Sequence, residues 1–113
     1  MIKIDIKPLS VNKCWRGRRF KTPEYKKYET DCLYLLPKVS IGKPPYWIWL
    51  EFGFSNMAAD IDNPVKPFLD ILQKKYGFND KDVIEMNIYK IKVKKGMEYI
   101  KFSIINRLSY LKN

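Results

Sequence analysis

The chain has 113 residues, 46% of them hydrophobic and 15% aromatic, which is too apolar for a disordered basic tail and enough for one core but not two. Twenty-two lysines and arginines against twelve acids give a formal charge of +10, which points to a polyanion or an anionic membrane surface as partner. The absence of histidine excludes histidine triads, zinc–histidine sites and histidine general bases, so hydrolysis by this chain has to use carboxylates, lysine and a metal ion.

Residues 1–113 are expected to form a single domain. No apolar run nears the roughly 18 residues of a membrane span, and neither a long basic amphipathic helix nor a lipidation motif is present. The reading is a soluble, cytoplasmic protein with no membrane partner, in which Cys14 and Cys32 stay reduced. The charge is uneven along the chain. Residues 13–27 carry seven cations and one acid, residues 90–113 again seven and one, and residues 28–89 six cations and nine acids.

In chain order, Ile2, Ile4 and Ile6 alternate with Lys3, Asp5 and Lys7, a half-buried strand ending at Pro8. Residues 12–21 mix cations and aromatics without period and predict an irregular basic loop. Within it Arg16, Arg18, Arg19 and Lys21 are candidates for DNA phosphate contacts, with Trp15 in the core; the plain alternative is a solvated loop. Thr22-Pro23-Glu24 is a cap, proline and first-turn acid, and Tyr25, Tyr28, Cys32, Leu35 and Leu36 supply an apolar stripe, predicting a helix over about residues 23–36. After a Pro- and Gly-rich loop, Tyr46 to Phe54 is the most strand-like run. Trp47 and Trp49 point one way and Ile48, Leu50 and Phe52 the other, as in an inner strand covered on both faces.

Residues 59–70 concentrate acids in the middle of this basic chain. If extended, Asp60 and Asp62 project from the same side as a pair of oxygen ligands. Asn63 reads as an N-cap and Pro64 as the first residue of a helix whose stripe is Val65, Phe68, Leu69, Leu72 and Tyr76 and whose left-handed cap is Gly77. Lys66 lies in the first turn, where the helix dipole disfavours a cation, within reach of Asp62 and Asp70. Asp80 and Asp82 follow the helix, and either can complete a three-carboxylate site for magnesium or manganese. The plain alternative is that all these acids are caps, turn formers and surface ion pairs.

From Ile84 the alternation Ile84, Met86, Ile88 shifts phase to Tyr89, Ile91, Val93, which predicts a β-bulge. Lys90, Lys92 and Lys94 share a face, either along a phosphate backbone or blunting an exposed edge, and Lys95-Gly96 predicts a hairpin into a last strand around Ile100, Phe102 and Ile104. The overall expectation is an α/β (α+β) fold: a mixed sheet with helices packed on it, in the order β-α-β-α-β-β.

The pattern Asp60, Asp62-Asn63, Lys66, then Pro67-Phe68-Leu69-Asp70-Ile71-Leu72, Gly77 and a following aspartate resembles the core of the RusA-type Holliday junction resolvases. Pro8-Leu9-Ser10-Val11-Asn12 and Thr22-Pro23-Glu24-Tyr25 resemble that family's opening, so the likeness runs over roughly residues 6 to 84. It departs after the glycine, where Asn79-Asp80 stands in place of the Asp-Asp pair of many members. The resemblance implies a RusA-like fold and a homodimeric, magnesium- or manganese-dependent endonuclease that nicks four-way DNA junctions symmetrically. Asp60, Asp62 and Asp80 would hold the metal, Asp82 being the competitor for the third place, and Lys66 would stabilise charge or assist the leaving oxygen. The rival readings are a nuclease of other branched DNA and a non-catalytic basic nucleic-acid-binding module.

Overall fold

The computed structural model describes residues 1–17 and 20–107. Its elements are β1 (Ile2–Ile4), a 3-10 turn, β2 (Trp15–Arg16), β3 (Phe20–Lys21), α1 (Pro23–Leu35), β4 (Tyr46–Phe54), α2 (Val65–Tyr76), a second 3-10 turn, β5 (Val83–Lys92) and β6 (Tyr99–Asn106). The expected β-α-β-α-β-β order holds for the larger elements. The expected irregular basic loop is instead a small antiparallel hairpin, with Trp15 opposite Lys21 and Arg16 opposite Phe20. Two-residue strands leave no period to read.

Local chemistry sets both helices. The Thr22 side chain accepts from the Tyr25 N–H at 3.1 Å, Pro23 opens α1, and the chain turns extended at Leu36. Gly77 takes the left-handed conformation at φ 70° and closes α2 through its N–H to the Gln73 carbonyl. Tyr25, Tyr28, Cys32 and Leu36 are buried from the first helix, whereas Leu35 turns outward. Both cysteines are buried free thiols, pushed up to about 11 for Cys14 and about 12 for Cys32 chiefly by burial.

The main sheet has the order β1-β6-β4-β5 and is mixed, with β5 parallel to β4 and β6 antiparallel to it. Residues 95–96 therefore do not fold β5 and β6 into a hairpin. Residues 93–98 carry the chain past the end of β4, a step of two strand spacings or roughly 9.5 Å, and β6 enters on the far side. Nor is there a bulge at Ile88–Tyr89. The register slips at Ile84, between the pairs Tyr46–Val83 and Trp47–Glu85. The apparent phase change has another cause: Met86 and Ile88 follow the core face of β4, whereas Tyr89 and Ile91 lie on the opposite face, both more than a third exposed.

Both helices pack on one face of the sheet. There Ile48, Leu50, Phe52, Ile100 and Phe102 meet Phe68, Ile71 and Leu72 in a single dry cluster. Covering of both faces of β4 was expected, but its other face stays open. On it Trp49 stacks on Tyr89 at 4.3 Å, the Trp47 indole N–H donates to Asn87 at 2.6 Å, and Arg107 lies over Trp47 while pairing with Glu85 at 2.6 Å. Tyr99 donates to Glu51 at 2.6 Å and its ring lies against Gly53, where an added Cβ would meet ring carbons at 2.5 Å. Trp15 is 42% exposed and sits edge-on to Tyr25 rather than in the core. No helix among the described residues is long and apolar enough to cross a membrane.

Phe68 is fully buried, edge-on to both Phe52 at 6.2 Å and Phe102 at 5.7 Å. Phe68→Ala should lower unfolding free energy by about 3–5 kcal/mol in urea titrations, the range for deleting a packed phenyl ring.

Candidate functional site

The loop leaving β4 is pinned before it reaches the acids. Ser55 Oγ donates to Glu98 at 2.7 Å, the Ala58 N–H donates to the Asn56 side chain at 3.0 Å, and the Lys90 ammonium, reaching back from β5, donates to the carbonyls of Met57 at 2.8 Å and of Ala59. Lys90 also lies over the Phe54 ring at 6.0 Å. It is thus a loop clamp rather than part of a phosphate-facing ladder, while Lys92 and Lys94 are exposed.

Residues 60–64 are not extended. The Asn63 N–H donates to the Asp60 carbonyl and the Val65 N–H to the Asp62 carbonyl, each at 3.1 Å, so consecutive turns replace the expected strand end. Asp60 and Asp62 are exposed on these turns, and among the described residues neither carboxylate takes a hydrogen bond or ion pair. The cap also moves by one residue, with Pro64 at the N-cap of α2 and no side-chain cap bond. Val65 has already spent its N–H on Asp62 and Pro67 has none, so few donors remain for Asn63 to cap. The Asn63 carbonyl instead accepts from the Val11 N–H at 2.9 Å, tying the N-terminal segment to the acidic loop.

Lys66, Asp70 and Gln73 share one face of α2, as their spacing requires. Lys66 Nζ lies 2.9 Å from Asp70 Oδ1 and 3.9 Å from Asp80 Oδ2. Gln73 joins the group from both ends: its amide donates to Asp70 at 3.4 Å and its carbonyl oxygen accepts from the Asp80 N–H at 2.8 Å. The hydrogen bond that Lys66 donates to Asp70, helped by the charges of Asp70 and Asp80, holds the Lys66 ammonium above its ordinary pKa. Its neighbours thus favour Lys66 as a cation. Of the two competing aspartates Asp80 stands beside Lys66, whereas the Asp82 side chain makes no hydrogen bond or ion pair among the described residues. Asp62, expected within reach of Lys66, makes no contact with it. Among the described residues no three carboxylate or thiol side chains converge into a ready-made metal cage. The donors that line the area are nevertheless all oxygens, as hard divalent ions require.

Of the basic candidates, Arg18 and Arg19 lie outside the described residues. Arg16 is exposed on β2. Lys21 is held within the fold, 2.9 Å from Glu29 and over the Tyr25 ring at 5.2 Å. Burial works against the charge on Glu29, but hydrogen bonds from Lys21 and Lys74 prevail and keep its carboxyl below the usual range. Lys90 and Gln73 are the two members that sequence reasoning missed. Gln73 was detectable as the next residue on the Lys66–Asp70 face, but nothing in the spacing signals Lys90.

Beside the acidic loop, a cleft of about 570 Å³ separates residues 6–13 and α1 from the loop of residues 54–63. Compared with known proteins, the chain matches no family model and no curated protein.

Lys90→Met, which keeps the stem and removes the ammonium, should raise amide hydrogen exchange across residues 56–62 by about tenfold while leaving α1 unaffected. Because the Lys66 pKa is raised on folding, its contribution to stability is complete below the unfolded lysine value, near pH 10, and is lost as pH climbs through the raised value. Asp70→Asn should lower the Lys66 titration midpoint in side-chain NMR; an unchanged midpoint would show that the pair does not hold in solution.

Proposed function

We propose that this chain is a metal-dependent endonuclease of branched DNA, a Holliday junction resolvase of the RusA type working in DNA recombination and repair, with the acidic loop and α2 as its active site. The observation that carries the reading is the placement of Lys66 between Asp70 and Asp80, on the helix into which the turns bearing the unpartnered Asp60 and Asp62 lead. These are residues of the resolvase-like motif, carried by α2 and by the two segments that flank it in the chain.

Asp60 and Asp62, exposed and without internal partners, and Asp80 beside Lys66 would hold magnesium or manganese. A divalent ion held there supplies Lewis-acid activation of water and neutralises phosphate charge. The chain's own part is electrostatic. Lys66, kept protonated by Asp70, faces the non-bridging oxygens of the phosphodiester and stabilises the charge that grows as water oxygen bonds to phosphorus and one ester P–O bond breaks. The attacking water gives up one proton and the leaving oxygen takes up one, so the products are one phosphate end and one hydroxyl end. Asp70 and Gln73 position Lys66 and the Asp80 backbone. Arg16, Arg18, Arg19 and Lys21 are assigned to the DNA backbone, the exposed Arg16 being freer for it than Lys21. A homodimer would bring two such sites to the two symmetric strands of a junction.

The test is cleavage of a labelled four-way junction against linear duplex, with magnesium, manganese or chelator. Wild type should make paired symmetric nicks only with metal. Asp62→Asn should abolish cleavage and keep or tighten binding, since it removes a negative charge beside DNA, and Lys66→Ala should slow cleavage by about 10²–10³-fold. Binding with no scission under any metal would leave a basic binding module, and equal cutting of flaps and forks would widen the substrate to branched DNA in general.

A further inference from the structure

The cleft beside the acidic loop has a wall that the proposed chemistry does not use. It is built by Pro8–Lys13, α1 and the loop that ends at Asn63, and its residues Ala59 and Asn63 bracket Asp60 and Asp62. A volume of about 570 Å³ lies within the usual range of small-molecule sites, roughly 300–1,000 Å³. The floor is apolar, with Leu9, Phe54 and Tyr28, and the rim is polar.

Five groups on that lining have unspent binding capacity, among them the Lys7 ammonium and the Glu24 carboxylate, which make no ion pair within the described chain. The carboxamides of Asn12 and Asn63 make no hydrogen bond within the described chain, and the Lys13 ammonium has no ion-pair partner there. By contrast, Lys27 at the same rim is held by Asp31 at 2.6 Å. Below them the Tyr28 hydroxyl is buried, close to the Leu9 backbone and the Cys32 thiol, yet completes a full hydrogen bond with neither. An apolar floor, two free carboxamides and the free cations Lys7 and Lys13 correspond to the three parts of a nucleotide: the base face, the hydrogen-bonding base edge and the phosphate.

We propose that this cleft receives one unpaired nucleotide of the strand being cut, its base over the Leu9–Phe54 floor within reach of Asn12 and Asn63 and its phosphate beside Lys13. This assignment rests on the nuclease reading for the identity of the strand. A branched substrate supplies unstacked bases at low cost, and the nucleotide next to a scissile phosphate at Asp60 and Asp62 has to lie alongside this wall.

The test uses the full chain in chelator, so that no cutting is involved. Amide NMR spectra are followed during titration with deoxynucleoside monophosphates, and separately with inorganic phosphate and with deoxyribose 5-phosphate. Saturable shifts at Ser10, Asn12, Ala58 and Asn63 are expected with the nucleotides and not with the two base-free controls. Asn12→Ala should weaken this binding about tenfold, and Ala58→Trp, which blocks the mouth without touching the floor, should abolish it; circular dichroism checks that both variants fold. Equal shifts with inorganic phosphate would reduce the cleft to a simple anion site, and unchanged nucleotide binding in both variants, or shifts confined to other surfaces, would overturn the assignment. The two readings fail separately. A chain that binds nucleotides in the cleft but cuts no junction refutes the nuclease and not the pocket, whereas one that cuts junctions while its cleft ignores nucleotides refutes the pocket alone.

Discussion

Strand β4 is hydrogen-bonded along its length to β5 on one side and to β6 on the other, and it is dry on one face only. That asymmetry dictates the rest. With Ile48, Leu50 and Phe52 all pointing one way, both helices have to sit on that side, and the aromatic residues opposite are left to cover one another. Because β5 runs parallel to β4, the connection between them must return along the sheet, and α2 is that return. The acidic loop therefore lies at the carboxyl end of the parallel pair, the place where open α/β sheets characteristically expose their binding groups.

The electrostatics of that place run against the charge of the whole molecule. In a chain of formal charge +10, the loop carries Asp60 and Asp62, α2 carries Asp70 and the 3-10 turn after it Asp80, and Lys66 is set between the last two at the end of a helix that disfavours a cation. Asp70 and Asp80 offset that penalty locally. As an exposed pair, Lys66 and Asp70 add little to stability, so their arrangement is better understood as positioning than as reinforcement. Lys90 acts differently: its ammonium spends its hydrogen bonds on two loop carbonyls and so fixes the backbone from which Asp60 projects.

The helices were legible because their signals are local. Thr22 with Pro23 and the glycine at 77 act within one turn of the chain, and the stripe of α2 needs no knowledge of its partner. The strand partners were not, since residues 95–96 look the same whether β6 returns beside β5 or crosses to the far side of β4. The open face was hidden for a related reason: Trp47 and Trp49 read as core residues until the sheet order shows that no helix is left to cover them. At the site, residue types and order were readable while conformation was not. Asp60 and Asp62 sit on turns because backbone carbonyls there accept the donors that an extended chain would have left free, and Asn63 loses its capping role to the same bonds. The reach of Lys90 across the sheet leaves no trace in sequence spacing.

The pairing of Ile2 with Phe102 in the sheet carries a consequence for how the protein is made. The first strand finds its neighbour in the last, and β4 acquires its second neighbour only when that same strand arrives. A ribosome delivers the chain from its N-terminus, so the aromatic run of β4 is synthesised long before β6 exists to flank it. Until residues 99–106 emerge, the nascent chain has an unflanked strand edge and an unfinished core, so a chain cut short before that point would leave the aromatic run of β4 exposed along one edge.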